Sequence, residues 1–388
     1  MIDTRFPLKS KYFFLFLILS SVYLYRVNQF VDNQIHSATY WWFYNYSQGF
    51  TKRGLIGEIL LILNKILDIN IFLLIKIFHF SSFIIFLLFF FRFIKKFQDK
   101  NIFYLLLVFS PIGLMVYVYD PFFIARPEIF IFLSMIFYLS ILSQKFNFYK
   151  FFLASFFLSL SILVHEITIF FLSYFFLFFF LRKIKIKLKH FYPFFILPFL
   201  TSLAIIFFSK KIDIDLMCGE IFIISTFLND CKSSMAAGSQ VMSFKAAWQD
   251  SQSYIHSDFF LKIYSFGFVL SLAGFLLYFY FLKIKLKFFF NFLLFFLINL
   301  IYSMPIFFLT YDWGRWLFIH FMLNIIILGF IYRYSEIKVL KNKYQIFFLF
   351  IYVIYTFAWN MPACCMPENK SLGGGFLGIL SKIFASLI

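Results

Sequence analysis

The chain has 388 residues, is 63% hydrophobic with 70 phenylalanines, and has a mean hydropathy of +0.90. Apolar runs of near-spanning length recur from end to end, which excludes a soluble domain and predicts an all-α, polytopic integral membrane protein, a single transmembrane domain over 1–388. The net charge of +18 would suit nucleic acid, but the lysines and arginines sit in short loops between apolar runs, as in cytoplasmic loops, so no nucleic-acid partner is expected.

The N-terminus carries Arg5, Lys9 and Lys11 and is expected inside. The first apolar run, near 11–26, has no small-residue cleavage site behind it and should stay as an anchor. The first external loop, 28–70, holds Asp32, His36, the aromatic run Tyr40, Trp41, Trp42, Tyr44 and Tyr46, and then Lys52-Arg53-Gly54. Residues 55–67 are apolar but too short to cross, and Glu58 and Lys65 interrupt them, so a short juxtamembrane helix is expected there. Residues 71–91 lead back inside to Arg92, Lys95, Lys96 and Lys100.

Spans at 102–119 and 128–143 flank a second external loop, YDPFFIARPE, with Asp120, Arg126 and Glu128. Pro121 disfavours helix at Asp120, and Pro127 suits the first turn of the next helix, whose positive N-terminal end favours Glu128. Residues 151–181 form one apolar stretch broken at His165-Glu166 and basic on both flanks. One crossing needs ~20 residues and two need ~40. Basic flanks on both sides require an even number, so two short tilted helices meeting at His165-Glu166 are expected.

Further spans at 192–208, 259–282, 288–309, 317–332 and 344–360 bring the total to about 11 transmembrane helices (10–12). Between them lie a large external loop, 209–258, and the hexapeptide YDWGRW at 311–316. Residues 361–388 form an external or interfacial tail. Of the 17 acidic residues, only Asp3, Asp99 and Glu336 fall in the inside segments, which places any chemistry on the external face.

Four charged groups reach that face, each with a functional and a structural reading. Asp32 and His36 stand four apart, as a base for a hydroxyl or as a solvated loop pair. Lys52 and Arg53 suit a phosphate at head-group level or plain anchoring to anionic lipid. His165 and Glu166 lie between two very apolar runs, where an ionisable pair needs a cavity or a partner. Asp312 and Arg315 stand three apart beside Trp313 and Trp316, as a phosphate clamp with sugar-stacking indoles or as an ion pair in an aromatic belt. Cys218 and Cys231 share the large loop, either bridged or free.

This order resembles the GT-C class of membrane glycosyltransferases, whose first and second external loops carry acidic catalytic residues. It also looks like the O-antigen and capsule repeat-unit polymerases. The likeness is one of layout, over about the first third of the chain with YDWGRW added. It implies sugar transfer from a polyprenyl-(pyro)phosphate-linked saccharide at the periplasmic face of a bacterial inner membrane. In that setting Asp32 or Glu128 would be the base, with Asp120, His165 and Glu166 as further catalytic candidates. Lys52, Arg53, Arg126 and Arg315 would hold the phosphate, with His36, Asp312, Trp313 and Trp316 binding substrate. No cofactor follows, and a divalent cation stays open because Asp32 stands alone where many GT-C enzymes have paired acids. The partners implied are the lipid-linked saccharide, the bilayer and, for a polymerase, a chain-length regulator. A lipid-linked saccharide flippase or a non-catalytic assembly subunit would share the layout.

Overall fold

The computed structural model describes residues 10–32, 41–98, 102–120, 123–124, 126–142, 147–182, 188–210, 213–221, 248–249, 251–252, 255, 258–281, 286–310, 312–331 and 345–362. Among these the protein is helical throughout, with no strand. Four helices are long and apolar enough to cross a membrane, within α3 (Ile71–Gln98), α11 (Asp258–Phe281), α12 (Leu286–Leu309) and α13 (Trp313–Ile331).

Helix α13 is the centre of the bundle. Its crossing segment is 94% buried against 39–44% for the other three, as expected of a helix that is apolar all round. Packed on it are α3, α11, α12 and α6 (Ile129–Leu142), while α1 (Ser10–Asp32) packs on α3 and α9 (Leu188–Phe208) on α7 (Phe148–Val164); α8 (Leu172–Arg182) and α14 (Gln345–Ala358) complete the longer described helices. The short helix expected after the first span is α2 (Gly54–Leu67). It lies backbone to backbone on the aromatic segment, and a Cβ at Gly57 would stand 1.9 Å from the Tyr44 carbonyl oxygen.

The span expected at 102–119 is not one helix. It is split into α4 (Ile102–Val108) and α5 (Val116–Tyr119) by a turn. Pro111 has no amide hydrogen to continue a helix. The Leu114 amide then donates back to Val108 O at 2.7 Å, an approach that a Cβ at Gly113 would block. The segment still rises through the bundle: the Tyr104 hydroxyl donates to Ile325 O, and Tyr117 packs edge-on against Phe318, two turns nearer the start of α13.

At His165 the chain reverses. On the way in, α7 runs antiparallel to α6, with Phe137 against Phe157 and Ser161 Oγ 3.0 Å from Phe130 O. Past a 3-10 turn at Glu166–Phe171, the Tyr138 hydroxyl donates to Phe175 O at 2.9 Å, so α8 descends beside the same α6. Two short helices therefore meet at His165-Glu166. The starts of α2, α6 and α13 and the end of α7 gather at one end of the bundle, while Lys150, Arg182 and Lys287 lie at the opposite end.

Cys218, in α10 (Ile214–Ile221), is disulfide-bonded; Cys231, like the tail beyond residue 362, lies outside the described residues.

Candidate functional site

The gathered end holds two buried ion-pair systems. The first joins the loop before α2 to the α7–α8 turn. Arg53 Nε donates to both oxygens of Glu166, at 2.9 and 2.7 Å, and its Nη2 adds a third bond. Both residues are mostly hidden from solvent, with side-chain exposures of 5% and 16%. Arg53 sits in the left-handed region, φ 65°, a conformation costing a non-glycine residue ~1–3 kcal/mol, and the Glu166 contacts hold it there. His165 is wholly buried, and its Nδ1 lies 3.3 Å from Glu166 Oε2.

The second system joins the starts of α6 and α13. Arg315 Nε donates to Glu128 Oε1 at 2.8 Å, Nη2 donates to the same oxygen, and Nη1 donates to Asp312 Oδ2. Its Cζ lies 4.8 Å over the Trp316 ring. Asp312 supplies backbone acceptors as well: the amides of Arg315 and Trp316 both donate to its carbonyl.

Arg126 stands between the two systems, within the fields of Arg315, Asp312, Glu128 and Arg53. Burial, with Arg315 beside it, pushes its guanidinium down to about 10. Burial alone would raise the Glu128 carboxyl, but Arg315, with His165 and Arg126 behind it, holds it below the ordinary range. Lys52 is lowered by burial and feels Glu166 and Arg53. Asp120, 5% exposed, caps α5, and Tyr264 of α11 feels both Asp120 and Asp312.

Thus Lys52, Arg53, Asp120, Arg126, Glu128, His165, Glu166, Asp312 and Arg315 share one end of the molecule. Helix α1 runs through Asp32, but the Asp32 side chain and His36 lie outside the described residues.

Two of the expected substrate residues are engaged within the protein. Each of the three Arg315 guanidinium nitrogens is bonded to a carboxylate, which uses three of its five N–H donors. Trp316 faces the interior. It is 1% exposed, and its indole N–H donates to Thr310 Oγ1 at 2.7 Å. Trp313, half-buried, donates to Phe307 O at 2.6 Å. Both indoles lie in the first turn of α13, where helix geometry turns them into the protein.

Tyr44 was read in the sequence only as part of an aromatic run. It is buried beside Arg53 and Glu166, and burial pushes its phenol up to about 12. Also unforeseen was a polar network under the site: His320 bonds Tyr174 Oη through Nδ1 at 2.7 Å and Ser303 Oγ through Nε2 at 2.6 Å, and Asn324 donates to Tyr174 Oη. Its sequence signal was a histidine inside an apolar run. No group of three His, Cys, Asp or Glu able to hold a metal occurs among the described residues.

One oxygen stands out. Glu128 Oε2 is buried and has no hydrogen-bond partner among the described residues, while Oε1 takes two bonds from Arg315. An unmet buried acceptor costs ~1–3 kcal/mol, so such an atom calls for a donor.

Comparison with protein-family models, curated proteins and solved structures returns no match. Fold and site together define an all-helical, strongly apolar protein with a charge cluster buried at one end of its bundle.

Proposed function

We propose that this protein is a multi-pass transferase of the bacterial inner membrane, with about 11 crossings and its N-terminus inside. It moves sugar from a polyprenyl-(pyro)phosphate carrier at the external face, as a repeat-unit polymerase or a GT-C-type glycosyltransferase. The observation that carries this reading is the open oxygen of Glu128 in a cluster rich in guanidinium groups. The acceptor hydroxyl attacks the anomeric carbon, its proton passes to Glu128 Oε2, and the bond to the carrier phosphate breaks with its electron pair on the phosphate oxygen. Arg126, within the fields of Glu128, Asp312 and Arg315, and Lys52, near Glu166 and Arg53, would hold that phosphate. Arg315 keeps Glu128 ionised and ready to accept.

The test is a deletion strain complemented with wild type or with Glu128→Gln. Wild type restores polymeric glycan. Glu128→Gln, inserted in normal amount, leaves the lipid-linked saccharide to accumulate at the external leaflet. Accumulation at the inner leaflet would instead identify a flippase, and unchanged glycan on deletion would end the reading.

A further inference from the structure

We propose that an apolar cavity between α11, α12 and α13 holds an acyl chain of an anionic phospholipid, whose phosphate rests against Lys287 at the head of α12. This site lies apart from the charge cluster and does not depend on the sugar-transfer reading.

The cavity follows from the way phenylalanines fill the gap between two long apolar helices. Helices α11 and α12 each lean on Phe321 of α13 through a ring, Phe275 at 5.7 Å and Phe296 at 5.5 Å between centroids. Across the gap, Phe275 stacks on Phe292 at 5.9 Å, and Phe279 meets Phe289 at 5.4 Å and Phe292 at 5.1 Å. Flat, stiff rings bridge the two backbones but cannot bend into the space they enclose. A cavity of about 210 Å³ is left among them, and no polar atom lines it.

Close-packed interiors seldom leave a void larger than a water molecule. An apolar cavity of ~150 Å³ stays dry and takes a hydrocarbon such as benzene, so the occupant here is hydrocarbon and not water. Its way in is from the side. Leu276 lines the cavity and is 51% exposed, so the cavity reaches the outer face of the bundle, where lipid chains are the neighbours.

Charge selects which lipid. On α12 the lining runs from Phe289 to Phe296, two to nine residues past Lys287, or ~3 to ~14 Å along the axis from that lysine. An acyl chain runs at that depth beneath its own headgroup. Lys287 is exposed, and a lysine at a helix end reaches back to the interface. The sequence has no acidic residue between Asp258, at the far start of α11, and Asp312, so neither helix nor the turn joining them gives Lys287 a counter-ion. A basic residue beside a cleft between spanning helices favours an anionic headgroup. The occupant therefore differs from the carrier of the proposed transfer, whose phosphate would lie at the opposite end of the bundle.

Native mass spectrometry of the full chain in detergent micelles tests this without any sugar substrate. The probes are phosphatidylglycerol and phosphatidylcholine with the same acyl chains. Wild type is expected to retain phosphatidylglycerol about fivefold more tightly, the effect of one lysine charge. Lys287→Gln should bring the two lipids level. Leu276→Trp places an indole in the mouth of the cavity from a half-exposed position and should lose both. Equal retention of the two lipids by wild type would overturn the inference. So would an unchanged preference in Lys287→Gln, or undiminished phosphatidylglycerol in Leu276→Trp. Displacement of phosphatidylglycerol by a lower concentration of polyprenyl monophosphate would give the cavity to the carrier tail and overturn it too. If a variant does not insert, the wild-type comparison still decides. Glycan formation is read separately in cells, so failure of the sugar-transfer reading would leave these results untouched.

Discussion

Arg53 and Glu166, 113 residues apart, are joined by a two-pronged ion pair that ties the loop before α2 to the turn between α7 and α8. Removing one partner of a buried pair strands the other charge, at ~3–5 kcal/mol. Arg53→Ala should therefore lower the melting temperature in detergent sharply. The double variant Arg53→Ala/Glu166→Gln should lose less than the sum of the single changes. Strict additivity would mean that the two do not act as a pair.

Arg315→Lys keeps the charge but loses the fork that reaches Glu128 and Asp312 together. Because these bonds are buried, the variant should lose about 1.5–3 kcal/mol of stability, together with glycan formation. Arg333→Lys, in a basic loop outside the described residues, is the control. A thermal shift equal in the two variants would remove Arg315 from the core of the site.

The acid limb of stability should report Glu128. Its folded value is depressed from the ordinary 4.5, so its contribution is fully present above 4.5 and lost as pH falls through the lower folded value. Melting temperature is expected to hold between neutrality and about pH 5, then to fall. In Glu128→Gln that acid limb should flatten in part, because the Glu166 carboxyl, held well below the ordinary range against Arg53, supplies the rest; an identical limb would remove Glu128 from it.

Gly57→Ala should cost ~1–3 kcal/mol, because the new methyl meets backbone rather than a side chain that could turn aside. Displacing α2 moves Arg53 at its head, so glycan formation should fall as well. Wild-type melting and function in this variant would show that α2 can shift freely.

Topology is open to reporter fusions after Lys187 and near Gln240. A cytoplasmic signal is expected at the first and an external one at the second, if the chain that reverses at His165 crosses again through α9 as the proposed layout requires. A cytoplasmic signal at Gln240 would invert everything downstream.

The sequence by itself determined the helical class, the position of α2, the break at His165-Glu166 and the end of the bundle where charge collects. These depend on local facts: the length of an apolar run, a proline, and basic residues in short loops. It could not tell that 102–119 is folded back by the Leu114–Val108 bond, nor that Trp313 and Trp316 turn inward. Only the tertiary structure decided which carboxylate meets which guanidinium. Arg315 has a neighbour three residues away in Asp312, yet it gives two of its three nitrogens to Glu128, 187 residues distant. In a buried cluster, partners are set by the azimuth and depth of each helix. Those depend on how many apolar side chains pack at once, and no local pattern carries them.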